Sequence, residues 1–343
     1  MGAEKKNLYI TVVLLLLPVV IIIAVATGPV RLPWPQTAAI IWTALTGGDL
    51  SRFGANSLIV FNLRLPRVLL SAAVGAALSV SGAAFQALFR NPLADPYVVG
   101  VSAGAALGAT VAIGFGLAFA GSQVLATSIL AFVGALGVSY LVYRISRGAG
   151  ALSSLVLLLA GMAVSAFLSA LISLIMVLES RNLSETVFWL MGGFTGRGWR
   201  ELFLALPLIF AGTAGLWFLH KELNLLLLPE DEARSLGLNV ARMKAVVLGL
   251  GSLLAAAAVA VSGLIGFVGL IVPHLVRLIT GPDHRYLLVG SFLTGAVLLV
   301  PADLIARTWL APLELPVGAI TSLFGGPFFL YLLLKAKKEG RGF

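Results

Sequence analysis

Ten stretches of this chain are apolar almost without interruption, and the segments between them hold most of its charge. They run over 8–26, 67–88, 105–120, 123–143, 154–178, 203–219, 244–261, 264–278, 287–306 and 320–334. A helix crossing the hydrocarbon core needs about 20 mainly apolar residues, and most of these runs have that length. They lack the alternating polarity of a membrane β-barrel strand. The pattern predicts an all-α, polytopic membrane protein of about ten transmembrane helices. The runs at 105–120 and 264–278 are short and Gly-rich or Pro-interrupted, so neighbouring protein must satisfy their backbone ends. The first run follows Lys5 and Lys6 and ends on Ala24-Val25-Ala26, as a secretory signal would. Its apolar stretch exceeds the roughly 7–15 residues of a signal core, so it reads as a retained helix.

Composition sharpens this picture. Of 343 residues, 59% are hydrophobic and 11% charged, against roughly 25% charged in a soluble domain. A soluble enzyme, a nucleic-acid binder and a disordered scaffold are all poor readings of such a chain. The net charge of +9 fits loops held at a cytoplasmic face, with no nucleic-acid partner. With the N-terminus inside, fifteen of the 23 Lys and Arg residues lie in inner segments. The other eight, Arg31, Arg52, Arg64, Arg67, Arg181, Arg197, Arg200 and Arg307, lie outside. The asymmetry predicts both termini in the cytoplasm and an even span count. The absence of cysteine removes disulfides, thiolate metal sites and cysteine nucleophiles.

A shift of 181 residues lays Ala76-Ala77 on Ala257-Ala258 and Val80-Ser81-Gly82 on Val261-Ser262-Gly263. The same shift lays Pro92 on Pro273 and Gly100 on Gly281. The two copies start five spans apart, so they run in opposite directions, as the inverted repeats of transporters do. Coincidence among small residues in apolar helices is the competing explanation.

Candidate chemistry is sparse. Gly100-Val101-Ser102-Ala103-Gly104 has the spacing of a hydrolase nucleophile elbow, which needs a strand–turn–helix context, a His base and an acid. Here it opens an apolar helix, and Gly100, Gly104 and Gly108, spaced by four, read as a helix-packing face. The histidines form no His-Glu-x-x-His pair and no carboxylate cluster lies within a span, so no metal site, catalytic residue or cofactor site is predicted. Asp303 and Arg307, four apart, read as a local pair. No Gly-Lys dipeptide occurs, so there is no P-loop and any ATP hydrolysis belongs to another chain.

The longest polar stretch between distant spans is 220–244. Within it Glu230, Glu232, Ala233, Arg234 and Leu236 belong to a short helix closed by Gly237 and Leu238. Ala233, Leu236 and Leu238 leave apolar surface facing water unless a partner covers it. On the outer side, Arg64-Leu65-Pro66-Arg67 puts two guanidinium groups beside a rigid proline. They suit either snorkelling to lipid headgroups or bidentate binding of carboxylates on an extracytoplasmic protein.

Several of these motifs together resemble one family. Leu63-Arg64-Leu65-Pro66-Arg67, Gly75 to Gly82, Gln86 and Arg90-Asn91-Pro92-Leu93-Ala94-Asp95-Pro96 are similar to the signature of FecCD-type permeases. So are Ser262-Gly263-Leu264-Ile265-Gly266-Phe267-Val268-Gly269-Leu270, Pro273-His274-Leu275-Val276-Arg277, Asp283-His284-Arg285 and Glu314-Leu315-Pro316-Val317-Gly318. These permeases are membrane subunits of type II ABC importers for iron chelates, haem and vitamin B12. The resemblance implies one permease domain over 1–343, with ten helices and 220–244 as the cytoplasmic loop between spans six and seven. It implies a bacterial or archaeal cytoplasmic membrane, a second permease copy as homodimer or close heterodimer, two cytoplasmic ATP-binding subunits and a soluble or lipid-anchored binding protein. By resemblance, 230–238 is the coupling segment, Arg64, Arg67 and Arg307 meet the binding protein, and Ser154 and Leu155 form the cytoplasmic gate.

The resulting expectation is a permease for an iron(III) chelate, with vitamin B12 or haem as alternative cargo. A stand-alone ion-coupled carrier and a Ser102 hydrolase are the competing classes. Single cysteines near Arg147 and Lys337 should be labelled only from the cytoplasm, and those near Arg52 and Arg197 only from outside. Labelling of both groups from one side would overturn the ten-span arrangement.

Overall fold

The computed structural model describes residues 2–28, 30, 32–148 and 153–338. Arg31 and Arg341, both used in assigning the orientation, lie outside the described residues. The described residues form α-helices and short helical turns, and their one β-type pairing is an isolated bridge between Phe119 and Ser122. In chain order the helices are α1 (Ala3–Ala26), α2 (Trp34–Leu45), α3 (Ala55–Ser57), α4 (Leu65–Phe89), α5 (Val101–Gly114), α6 (Gln123–Gly148), α7 (Ser154–Leu178) and α8 (Leu183–Met191). They continue with α9 (Trp199–Phe218), α10 (His220–Leu226), α11 (Glu230–Ser235), α12 (Val240–Ser262), α13 (Val268–Thr280), α14 (His284–Thr308) and α15 (Val317–Lys338).

Among the described residues, seven helices are long and apolar enough to cross a membrane: α1, the continuous helix Ala55–Phe89, α6, α7, α9, α12 and α14. Shorter apolar segments in α5, α13 and α15 bring the correspondence with the ten apolar runs to completion. The bounds differ where backbone geometry overrides hydropathy. The run starting at 67 extends back to Ala55, because α3, a wider π-wound turn over Leu58–Arg64 and α4 join into one helix. Polar Asn56, Asn62 and Arg64 break the apolar pattern there without breaking the helix. α5 ends at Gly114, short of the expected 120, since Gly116, Ala120 and Gly121 all adopt positive φ. α13 begins at Val268, after Gly263 and Phe267 turn to φ 68. α2 and α8, of 12 and 9 residues, are helices that the run lengths did not suggest. Nine residues span only about 14 Å.

α4 occupies the centre. The apolar window of its helix is 94% buried, against 17% for α1 and 22% for α7. Without a hydrophobic force between helices in lipid, association depends on close packing, and α4 permits it through small residues from Ser71 to Ala84. α14, α12, α13 and α9 all pack on it. An added Cβ at Gly75 would lie 2.2 Å from the Gly295 carbonyl oxygen, and one at Gly82 only 1.7 Å from that of Gly269. Ser81 Oγ donates to the Gly251 carbonyl at 2.7 Å, which adds a polar tie to α12. Of the repeat positions, Gly100 and Gly281 share a positive φ of 82° and 81°. Pro92 lies in the turn after α4 whereas Pro273 lies inside α13, so the register is not kept there.

These contacts make a direct test. Gly82→Val should destabilise the detergent-purified protein by more than the roughly 1–3 kcal/mol of ordinary overpacking, read as a lowered thermal midpoint, since backbone is what it meets. Gly137→Ala, with nothing within 4 Å of the added Cβ, should leave the midpoint unchanged or raise it.

Candidate functional site

The two ends of α4 carry different chemistry. At the N-terminal end, Arg64 is buried and donates from Nη1 to the carbonyls of Val25 and Ala26, both at 3.1 Å, and from Nη2 to that of Val30. Val25 and Ala26 close α1, whose last carbonyls have no partner within the helix and carry the negative end of its dipole. Arg307, also buried, donates to the Ala24 carbonyl. Gly28 leaves room for this clamp, because a Cβ there would lie 2.6 Å from Arg64 Nη2.

Arg67 stands between two carboxylates. Its Nε and Nη2 donate to Asp303 at 2.9–3.2 Å, and its Nη1 donates to Glu314 at 3.0 and 3.1 Å. Thr195 Oγ1 donates to Glu314 at 2.6 Å. Burial works against the Glu314 carboxylate, yet the Thr195 hydrogen bond and the Arg67 charge hold its pKa below the usual value. The local Asp303–Arg307 pair forms at 3.7 Å, but Arg67 takes the closer, two-pronged contact. Next to this cluster opens a basin of about 580 Å³ lined by Arg64, Arg67, Arg197, Arg200 and Arg307 with Glu201 and Glu314. Arg200 is exposed, and Arg197 Nε and Nη1 are buried without hydrogen-bond partners. The three arginines picked from the sequence are therefore brought together, but their side chains are engaged within the chain.

At the other end, α10 and α11 hang from three helices. Arg90 Nε donates to the Leu226 carbonyl at 2.7 Å, tying α10 to the end of α4. Asn224 Nδ2 donates to Asp283 Oδ1 at 3.0 Å, and Asn224 Oδ1 accepts from the His284 backbone at 2.9 Å, joining α10 to the start of α14. Lys244 Nζ of α12 donates to Glu230 Oε1 at 2.6 Å, and Arg234 pairs with the other oxygen of Glu230 at 3.3 Å. The Lys244 hydrogen bond holds the Glu230 carboxyl below its usual value. This tie is intact at neutral pH and is lost as pH falls through the lowered value.

α11 closes with Leu238 N donating to the Ala233 carbonyl at 3.0 Å and Gly237 N to that of Arg234 at 2.9 Å, with Gly237 at φ 86. This is the Schellman closure that glycine favours. Ala233 is fully buried and Leu238 partly so, which leaves Leu236, 61% exposed, as the apolar tip. Glu232 and Arg234 are exposed beside it. Ser154 opens α7, donating to the Leu88 carbonyl at 3.3 Å, and Leu155 next to it is exposed. Gly100 caps α5, and added Cβ atoms at Gly104 and Gly108 would lie 2.3 and 2.0 Å from the Gly134 and Leu130 carbonyls of α6. Ser102 sits in the first turn of α5, whereas His220, His274 and His284 belong to α10, α13 and α14.

Residues 15–335 match the model of the FecCD transport family. This chain belongs to that family. Among its relatives, the cobalamin import system permease protein of Halobacterium salinarum is 45% identical over 302 residues, 88% of this chain and 79% of the relative. The hemin transport system permease protein of Yersinia pestis is 46% identical over 292 residues, 83% and 85% of the two chains. A solved ABC transporter of metal-chelate type, in an inward-facing conformation, superposes with a TM-score of 0.83 at 34% identity, covering 95% of this chain and 98% of that one. The FecCD chain is thus an ABC importer permease and a multi-pass membrane protein, with the all-helical fold of that class.

Sequence reasoning missed Asp303 and Glu314 as partners of Arg67, and Arg90, Asn224 and Lys244 as supports of the 220–244 segment. Of these, the sequence offers Asp303 as a local partner of Arg307, and Glu314 and Arg90 as members of the Glu314-Leu315-Pro316 and Arg90-Asn91-Pro92 motifs. Asp303→Ala leaves Arg67 and Arg307 without their shared carboxylate, so it should cost about 3–5 kcal/mol of stability. Arg200→Ala, on the exposed rim, should change it by less than about 0.5 kcal/mol. Thermal unfolding of the two variants in the same detergent measures the difference.

Proposed function

We propose that this FecCD permease takes an iron(III) chelate from an extracytoplasmic binding protein and passes it inward under the drive of two cytoplasmic ATPase subunits. Two copies of the permease form the path, with both termini in the cytoplasm. The observation that carries the reading is the 230–238 segment: an exposed Leu236 on a base tied by side chains to α4, α12 and α14. An apolar tip on a rigid mount suits docking in a groove of a moving partner, because displacement of the tip is passed to the spans. Glu230, Glu232, Ala233, Arg234, Leu236, Gly237 and Leu238 form this coupling element.

At the opposite end the basin receives the binding protein. Arg64, Arg67 and Arg307 set its shape and positive field, and exposed Arg200 meets acidic groups directly. Opposite charge at such a rim governs encounter rate and orientation. Ser154 and Leu155 close the inner exit. An iron chelate suits relatives named for cobalamin and hemin, both metals held in organic ligands. Those same names favour cobalamin or haem as the second reading of the cargo.

Leu236→Asp should abolish ATP-driven uptake in vesicles holding the permease, ATPase and binding protein, while the permease stays folded. The reason is that a charge forced into an apolar contact loses its hydration without a partner. Unchanged uptake together with unchanged ATPase co-purification would remove the coupling role. In wild-type vesicles, radiolabelled iron–siderophore should accumulate and cyanocobalamin and hemin should not, and the reverse result would reassign the cargo.

A further inference from the structure

Between α6 and α12, at the end of the bundle that carries α11, a groove of about 410 Å³ opens on the outside of the protein. Leu136, Tyr140 and Tyr143 line one wall, and Val246 and Gly249 the other, with Arg242 at its end. A Cβ added at Gly249 meets nothing within 4 Å, so this wall faces open space. Ser139 and Ser252, which also line the groove, are buried and share one hydrogen bond at 2.6 Å. The flanking Leu141 and Ile145 are exposed, as on a face turned to lipid.

The charge at one end of this groove is unbalanced. Arg144 Nη1 donates to Tyr140 Oη at 3.3 Å with its guanidinium 5.9 Å from the same ring, and Arg147 Nη1 lies 3.5 Å from Tyr143 Oη. Among the described residues neither these two nor Arg242 makes an ion pair. Neither α6 nor α12 contains an Asp or Glu. The arginine cluster at the far end of α4 is unlike this, since its carboxylates are built in. Here an apolar slot ends near three cations, two of them held on the hydroxyls of tyrosines, a residue type enriched where spans meet the headgroups.

We propose that the α6–α12 groove binds one anionic phospholipid, an acyl chain lying along Val246 and Leu136 and the phosphate reached by Arg144, Arg147 and Arg242. Arginine forks match phosphate oxygens in pairs, and basic pockets between spanning helices are known acceptors of acidic headgroups. The apolar slot favours a lipid over a free phosphate, which would leave that surface bare.

Native mass spectrometry of the purified permease in mixed micelles with equal phosphatidylglycerol and phosphatidylcholine tests this. Wild type should retain one phosphatidylglycerol per chain, at least tenfold over phosphatidylcholine. The triple variant R144Q/R147Q/R242Q should lose that preference. Gly249→Leu, which fills the slot from its open wall, should lose retention of phosphatidylglycerol with an unchanged midpoint in lipid-free detergent. If the triple variant fails to fold, Gly249→Leu alone decides. Phosphatidylglycerol should also raise the wild-type midpoint by several degrees, while glycerol phosphate at the same concentration should not. Equal retention of the two lipids, full retention by Gly249→Leu, or an equal shift from glycerol phosphate would each overturn the proposal.

Discussion

Everything in this bundle is arranged around the near-contact of backbones along α4. A helix whose apolar window is 94% buried cannot carry large side chains and still be touched on every face. The sequence from Ser71 to Ala84 meets that demand with Ser, Ala and Gly at most positions, with larger Val74, Leu78 and Val80 between them. Where Gly75 meets Gly295 and Gly82 meets Gly269, carbonyl oxygens occupy the volume that any side chain would need. Dispersion between closely spaced atoms replaces the hydrophobic force that water would otherwise provide. The helix is thereby a fixed axis, and each of its ends becomes a place where other elements can be fastened.

The fastenings differ between its two ends. Arg67, Asp303, Glu314 and Thr195 satisfy one another, so this end is held by charges that would be expensive to leave unpaired. α10 and α11 are held by smaller ties, an Arg90–carbonyl bond, an Asn224 bridge and the Glu230–Lys244 pair, with Leu236 left outside. Rigid at the root and bare at the tip, that segment has the form of a lever. The α6–α12 groove belongs to neither arrangement, since among the described residues Arg144 and Arg147 rest on tyrosine hydroxyls and neither they nor Arg242 make an ion pair.

The spans were legible because a run of about twenty apolar residues leaves few alternatives in a chain with 11% charge. Their limits were less so. Gly263 and Phe267 end an apolar continuity that hydropathy carries straight through, and Asn56 to Arg64 interrupt it where the helix does not stop. Motifs revealed the family but not the geometry of its charges. Asp303 and Arg307 are four residues apart and could be paired on paper. Arg67 reaches Asp303 across 236 positions, and no local pattern announces that. The same limit applied at 230–238. Three apolar residues were expected to face water, but Ala233 is buried and Leu238 partly covered, leaving Leu236 alone at the tip.

The clamp on α1 has a bearing on how the chain is assembled. The carbonyls of Ala24, Val25 and Ala26 are satisfied by Arg64 from the turn before α4 and by Arg307 from the end of α14. Synthesis delivers the first of these soon after α1 has emerged and the second only when most of the polypeptide exists. Until then α1, few of whose residues are buried even in the finished fold, has to stand in the bilayer with part of its terminal hydrogen bonding left to interfacial water. The end of α1 is therefore fully held only once α14, more than 250 residues further on, has followed it.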